Sequence, residues 1–348
     1  MTRTFNPRNL STSQLWKLSC PAVLMLLCTA LAAQTPTFVS FDAPHAGTSK
    51  NQGTSAGFIN QNGVIAGTYV DANNVLHGYV RIASGQITEF DPPNTSDTFV
   101  QGINFRGQIA GFAAHQTGRS SHEHGFLRTP NGRFFGIDFP AAVETLPQSI
   151  NDNGQITGYY GDSAGRHGFL RDVNGTYTSF DAPGSATTPV SINSSGVITG
   201  YYNSSDGVSH GFVRDSAGNV TSFNAPGAAG SGTFPSSINS TGDITGTYSD
   251  ASFMAHSFLR DASGNITPVD FPGVSQTFAI NINAQGAIVG EIVQGSAFTG
   301  YRRDSSGNFN AVMVPVSNIG SYVTASTNQG RMVGTYTDSN FASHGFLK

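Results

Sequence analysis

Histidine recurs along this chain at His77, His124, His167, His210, His256 and His344, and an array of that kind can ligate metal, relay protons or form fixed hydrogen-bonded pairs. The spacing selects the third option. Fourteen residues beyond five of them stands an acid or its amide: Asp91, Asp138, Asp181, Asn224 and Asp270. A turn over Asp172–Gly175 would set His167 opposite Phe180 and beside Asp181, so that imidazole and carboxylate meet across a hairpin. One repeat lacks the histidine and carries Thr299, and fourteen residues on it carries Met313, so both partners are lost together. The expectation is therefore a set of structural pairs that satisfy each hairpin: His77–Asp91, His124–Asp138, His167–Asp181, His256–Asp270 and, if the chain ends meet, His344–Asp42.

The densest polar cluster is His115 with Ser121-His122-Glu123-His124. His-x-His is compatible with a metal site, but such a site needs converging ligands that spacing alone does not supply, so no metal is assigned. The glutamates number only four, Glu89, Glu123, Glu144 and Glu291, which restricts the carboxylate pairs available for glycoside hydrolysis. No nucleophile elbow, phosphate loop, zinc-hydrolase helix or calcium loop is present, so no catalytic residue and no cofactor are assigned. Adjacent tyrosines at Tyr159-Tyr160 and Tyr201-Tyr202 suit stacking on sugar rings or a protein partner. The candidate ligand-binding residues are Tyr159, Tyr201, His122, Glu123 and Glu291.

These residues ride on a repeat. Ile-Asn-x-x-Gly occurs at Ile59, Ile103, Ile150, Ile192, Ile238 and Ile282, with a degenerate copy at Ser326-Thr327, at steps of 44, 47, 42, 46, 44 and 44 residues. Within one unit the pattern reads as four short strands: up to Ile150-Asn151, then Gln155–Tyr160, His167–Arg171 and Thr176–Phe180. The repeated Ile-x-Gly of the second strand reads as core, with glycine permitting close approach. The recurring arginine, as at Arg81, Arg128 and Arg171, is expected to cover a blade edge or pair with carboxylates on the surface. Four strands in about 40–50 residues is the arithmetic of a propeller blade.

The ends are complementary. With residues 1–32 set aside as a leader, the expected mature protein opens with Thr37–Pro44, a fourth strand without its first three, and ends with Ser343–Lys348, a third strand without its fourth. Pairing them removes exposed edges. The expected fold is all-β, a seven-bladed propeller of four-stranded blades over residues 33–348, closed by the N-terminal strand on the C-terminal blade.

Residues 1–32 read as a secretory signal: basic Arg3, Arg8 and Lys17, an apolar run Cys20–Ala32, and Ala30-Leu31-Ala32 before the cut. Its removal takes three basic and no acidic residues, moving the formal charge from −4 to −7. Nucleic acid is not expected as a partner, since that needs clustered Lys and Arg. Both cysteines, Cys20 and Cys28, lie in the leader, so no disulfide is expected afterwards. No later segment reaches the ~20 apolar residues of a membrane span.

The unit, with Ile-Asn-x-x-Gly, Gly-Tyr-Tyr and His-Gly-Phe-Leu-Arg, resembles over about residues 37–348 the extracellular repeats of bacterial proteins known as the HAF family. Glycine follows the histidine where the family name has alanine, and the sixth unit departs from the pattern. The resemblance implies an exported bacterial repeat protein and brings no catalytic residues. The expected function is a monomeric binding or scaffold module at the cell envelope or outside the cell, with carbohydrate or a surface protein as partner. The alternative is a polysaccharide hydrolase or lyase on the same scaffold, using Glu123, His122 or Glu291.

Overall fold

The computed structural model describes residues 38–117, 120–295, 297–317 and 319–348. The expected leader, with both cysteines, lies outside them. Every regular element among the described residues is a β-strand. Strands pair as antiparallel groups of four that follow the sequence repeat: Gly53–Phe90 is the first unit, Asp97–Ile137 the second, Glu144–Phe180 the third and Ser185–Phe223 the fourth. The fifth and sixth span Thr233–Pro268 and Gln276–Val312. The last holds Gly320–Ser326, Met332–Thr337 and Ser343–Leu347, and its fourth strand is Val39–Phe41, antiparallel to Ser343–Leu347 with Ser40 opposite Phe346.

The sequence dictates each unit locally. Asn-x-x-Gly turns join the first and second strands because the asparagine Oδ1 accepts two backbone N–H groups of its own turn, as Asn151 does from Asn153 and Gln155. The first strand of every unit then carries a register shift, such as that between Pro147 and Ser149. The residue skipped by the shift, Gln148 here and Gln101, Ser236 or Thr324 elsewhere, lines a channel of about 720 Å3 walled by the first strands of all the units. Opposite the shift sits the glycine of Ile-x-Gly. A Cβ on Gly158 would stand 2.1 Å from the Leu146 carbonyl oxygen, so only glycine lets the two strands approach this closely.

Core lies between neighbouring units. Ala110 and Ile137 of the second pack with Ile150, Ile156, Tyr160 and Phe169 of the third. The same packing joins the last unit to the first, where Ala325 and Val333 meet Ile59, Ile65 and Tyr79.

A second interunit bond runs beneath it. Buried Asn60, Asn104, Asn151, Asn193, Asn239 and Asn283 each donate through Nδ2 to the backbone carbonyl of the equivalent residue one unit on, at 2.8–3.2 Å. Where the repeat degenerates, Thr327 has no amide to give. There the Arg331 guanidinium donates to the Gln61 carbonyl oxygen at 3.1 Å and the Asn328 N–H to Gln61 Oε1 at 2.9 Å.

Candidate functional site

The histidine–carboxylate pairs sit on the third and fourth strands. Nδ1 of His77 lies 2.7 Å from Asp91, His124 2.9 Å from Asp138, His167 2.9 Å from Asp181, His256 2.8 Å from Asp270 and His344 2.9 Å from Asp42. His210 meets Asn224 at 2.8 Å. Gly168, not His167, pairs with Phe180, so the expected register is off by one and the histidine is level with the carboxylate itself. A second acid escaped the sequence reading: Nε2 faces Asp162 in the third unit at 3.3 Å, and Asp250 and Asp338 at 3.5 Å in the fifth and last. Its signal was an Asp five or six residues ahead of the histidine, in the turn after the second strand.

The recurring arginines are not surface ion pairs. The guanidinium of Arg81 lies over the Phe41 ring at 4.8 Å, that of Arg128 over Phe90 at 4.7 Å and that of Arg214 over Phe180 at 4.9 Å. Each caps the outer strand of the preceding unit, and all three arginines are buried. Of the two roles expected from sequence, covering a blade edge is the one these three arginines take, held by the attraction of a cation to an aromatic face rather than by a carboxylate.

With those repeated residues accounted for, asymmetry marks the site. The position just before each histidine, or before Thr299 in the sixth unit, is Leu76, Glu123, Arg166, Ser209, Ala255, Phe298 and Ser343, charged only in the second and third units and with opposite signs. Strand alternation points this residue and the Thr68, Phe112, Tyr159, Tyr201, Thr247, Glu291 or Thr335 side chain to one face. On the third unit that face gathers a cluster. The Arg166 guanidinium stacks over the Tyr159 ring at 4.4 Å, and its Nη1 reaches Thr188 Oγ1 of the fourth unit at 3.4 Å. Glu144 pairs across from Gly161, where a Cβ would come within 3.0 Å of the glutamate side chain; the missing side chain makes room for the carboxylate.

Electrostatics tie the second unit in. Burial pushes the Tyr159 hydroxyl up, Arg166 pulls it down, and the charges of Glu123 and Glu144 and the neighbouring Tyr201 push it up again. Glu123 is itself raised, first by burial and then by Glu144. Tyr201 leans edge-on to Phe234 of the fifth unit, with ring centroids 5.4 Å apart.

Of the residues singled out from sequence, Tyr159, Tyr201 and Glu123 therefore come together. Glu291 sits on Ile288–Gln294 of the sixth unit, in a different seam, and burial raises its carboxyl. His122 neighbours Glu123 on Ser120–Arg128, and alternation sends it to the opposite face with His124. Glu144 and Arg166 joined the cluster unannounced, since only tertiary packing brings them to Tyr159. Among the described residues, no group of three His, Cys, Asp or Glu side chains is arranged to hold a metal ion, and no helix is long and apolar enough to cross a membrane.

No protein-family model matches the chain, and no characterised protein matches it by sequence. Solved structures do match by shape. A streptogramin B lyase superposes with a TM-score of 0.59 at 15% identity over 89% of this chain and 97% of its own. Virginiamycin B lyase from Staphylococcus aureus does so with 0.59 at 14% identity, covering 90% and 99%. The β-propeller domain of the trilobed protease from Pyrococcus furiosus reaches 0.61 at 10% identity, covering 86% and 94%. Identities this low carry the fold alone, and the fold they carry is the β-propeller.

Proposed function

We propose that this chain is an exported, monomeric, seven-bladed β-propeller that binds carbohydrate at the cell envelope or outside the cell, with no catalytic step. One observation carries the reading: the Tyr159–Arg166–Glu123–Glu144 cluster, with Tyr201 beside it, at the end of the ring where the long loops lie. Aromatic faces with flanking carboxylates and a guanidinium are the groups that stack on sugar rings and bond their hydroxyls. Export rests on the signal-like residues 1–32, and the resemblance to HAF repeats points the same way. The histidine–carboxylate pairs serve as structural hydrogen bonds of the outer hairpins, and no cofactor is invoked.

The test is a glycan-array screen of the purified protein with product analysis on the same polysaccharides. Saturable binding without cleavage, weakened roughly tenfold or more by Tyr159→Ala, as expected for loss of one stacking ring, supports the reading. Undiminished binding by Tyr159→Ala sinks this site, and a silent array sinks carbohydrate as the ligand and favours a surface protein.

A second reading, a polysaccharide hydrolase or lyase, draws on one specific feature. Glu123 is raised by burial and then by the charge of Glu144, so it keeps its proton to higher pH than an ordinary glutamate and is suited to donate it to a glycosidic oxygen. Cleavage products that vanish in Glu123→Gln would establish it.

A further inference from the structure

Five units place a tyrosine on the second strand beside the histidine: Tyr69, Tyr160, Tyr202, Tyr248 and Tyr336. Each ring stacks on that histidine with centroids 4.9–5.4 Å apart. Three of the hydroxyls meet a serine on the outer strand: Tyr160 with Ser179 at 2.9 Å, Tyr202 with Ser222 at 3.0 Å and Tyr336 with Ser40 at 2.8 Å. In the third unit Phe139, from the preceding connection, lies flat on Tyr160 with centroids 3.7 Å apart.

The second unit keeps the histidine–carboxylate pair and changes everything around it. Ala113 stands in the tyrosine position, opposite His124, and Gly136 in the serine position. Pro92 takes the place of Phe139. Losing a phenol and its hydroxyl partner together opens a recess of about 380 Å3, walled by Pro92, Ala113, Phe126 and Phe134 with His124 and Asp138 at one side. Phe135, which also borders it, is 46% exposed.

We propose that this recess binds the ring of a small phenolic ligand, in the place that sibling units fill with their own tyrosine. The sibling units define the occupant: a planar ring among apolar and aromatic walls, with a hydroxyl at its edge. The Asp138 carboxylate supplies the acceptor for that hydroxyl in place of the absent serine. An apolar recess formed by loss of a large side chain accepts a ligand of the lost group's shape. The volume exceeds one tyrosine ring, so substituted phenols fit as well as the bare ring. This site is separate from the Tyr159 cluster and does not depend on carbohydrate binding.

The probe is p-cresol, the side-chain analogue of tyrosine, titrated calorimetrically into the purified protein beside its saturated counterpart 4-methylcyclohexanol. Saturable one-site binding of p-cresol is expected, weakened roughly 10- to 100-fold in Ala113→Tyr and Ala113→Phe, the range that burial of one ring supplies. Tyr159→Ala should leave it unchanged. Absence of saturable binding, equal binding of 4-methylcyclohexanol, or undiminished binding by Ala113→Tyr overturns the proposal. Should those variants fail to fold, nuclear Overhauser contacts between p-cresol and Phe134 in the unmodified protein decide: their presence supports the site and their absence refutes it.

Discussion

Asn151 holds two kinds of structure at once. Its Oδ1 accepts from Asn153 and Gln155 in its own turn, while Nδ2 donates to Gln155 Oε1 and to the Asn193 carbonyl of the next unit. The residue is 4% exposed, so a substitution strands buried donors and an acceptor at a place water reaches poorly. Asn151→Leu is expected to lower unfolding free energy by about 2–4 kcal/mol, read from urea denaturation midpoints, through the cost of unsatisfied buried groups. The paired histidines make a separate prediction. Burial alone would lower His256, but the hydrogen bond and charge of Asp270, with Asp250 behind them, outweigh it and raise its pKa above 6.5; His167 is raised in the same way by Asp181 and Asp162. A raised folded-state pKa gives stability that is complete below the unfolded value and is lost as pH rises through the folded one. Between about pH 6 and about pH 8, the wild-type midpoint should fall more steeply than that of the His167→Asn, His256→Asn double variant. Below that window the slope reverses, because Asp162 and Asp250, held down chiefly by backbone N–H bonds, lose their stabilising charge as pH drops.

At the scale of elements, two devices set the geometry. Gly158 lies opposite a register shift in the first strand, and Gly158→Ala should destabilise by about 2–4 kcal/mol, because a Cβ cannot coexist with the Leu146 carbonyl oxygen without moving a strand. The other device is Val39–Phe41, the strand from the start of the described region that completes the last unit. Phe41 packs edge-on to Tyr79, with centroids 6.2 Å apart, beneath the Arg81 guanidinium, and so joins the last unit to the first. Deleting the chain through Ala43 bares the Ser343–Leu347 edge and the Phe346 side chain it covers. Such a variant is expected to melt lower and to elute from size exclusion as oligomers, since a free strand edge pairs with other chains. The four-strand grammar was legible in the sequence because turn residues and alternation are local. The second carboxylate beside His167, His256 and His344 and the aromatic seats of Arg81, Arg128 and Arg214 were not, because they depend on which strand lies next to which.

For the whole molecule, the channel and the outer face divide the roles. Among the described residues lining the channel, Asp152 is the only charged one, and several of its serines are committed to binding neighbouring units, as Ser191 is to Ile238 N–H at 3.2 Å. Charge and half-buried aromatics concentrate instead at the seams of the second, third and fourth units. Glu123→Gln is accordingly expected to weaken glycan binding by a few-fold to about tenfold while leaving the melting temperature nearly unchanged, checked by array titration and calorimetry. The repeat, the all-β character, the strand grammar and the complementarity of the two ends could be read along the chain, because they follow from period, turn chemistry and alternation. It took the folded molecule to show that Glu144 and Arg166 flank Tyr159, that Arg81 rests on Phe41, and that Ala113 and Gly136 open one recess. Those relations join residues on different strands and different units, and distance in space between them is set by sheet packing, which no spacing along the chain encodes.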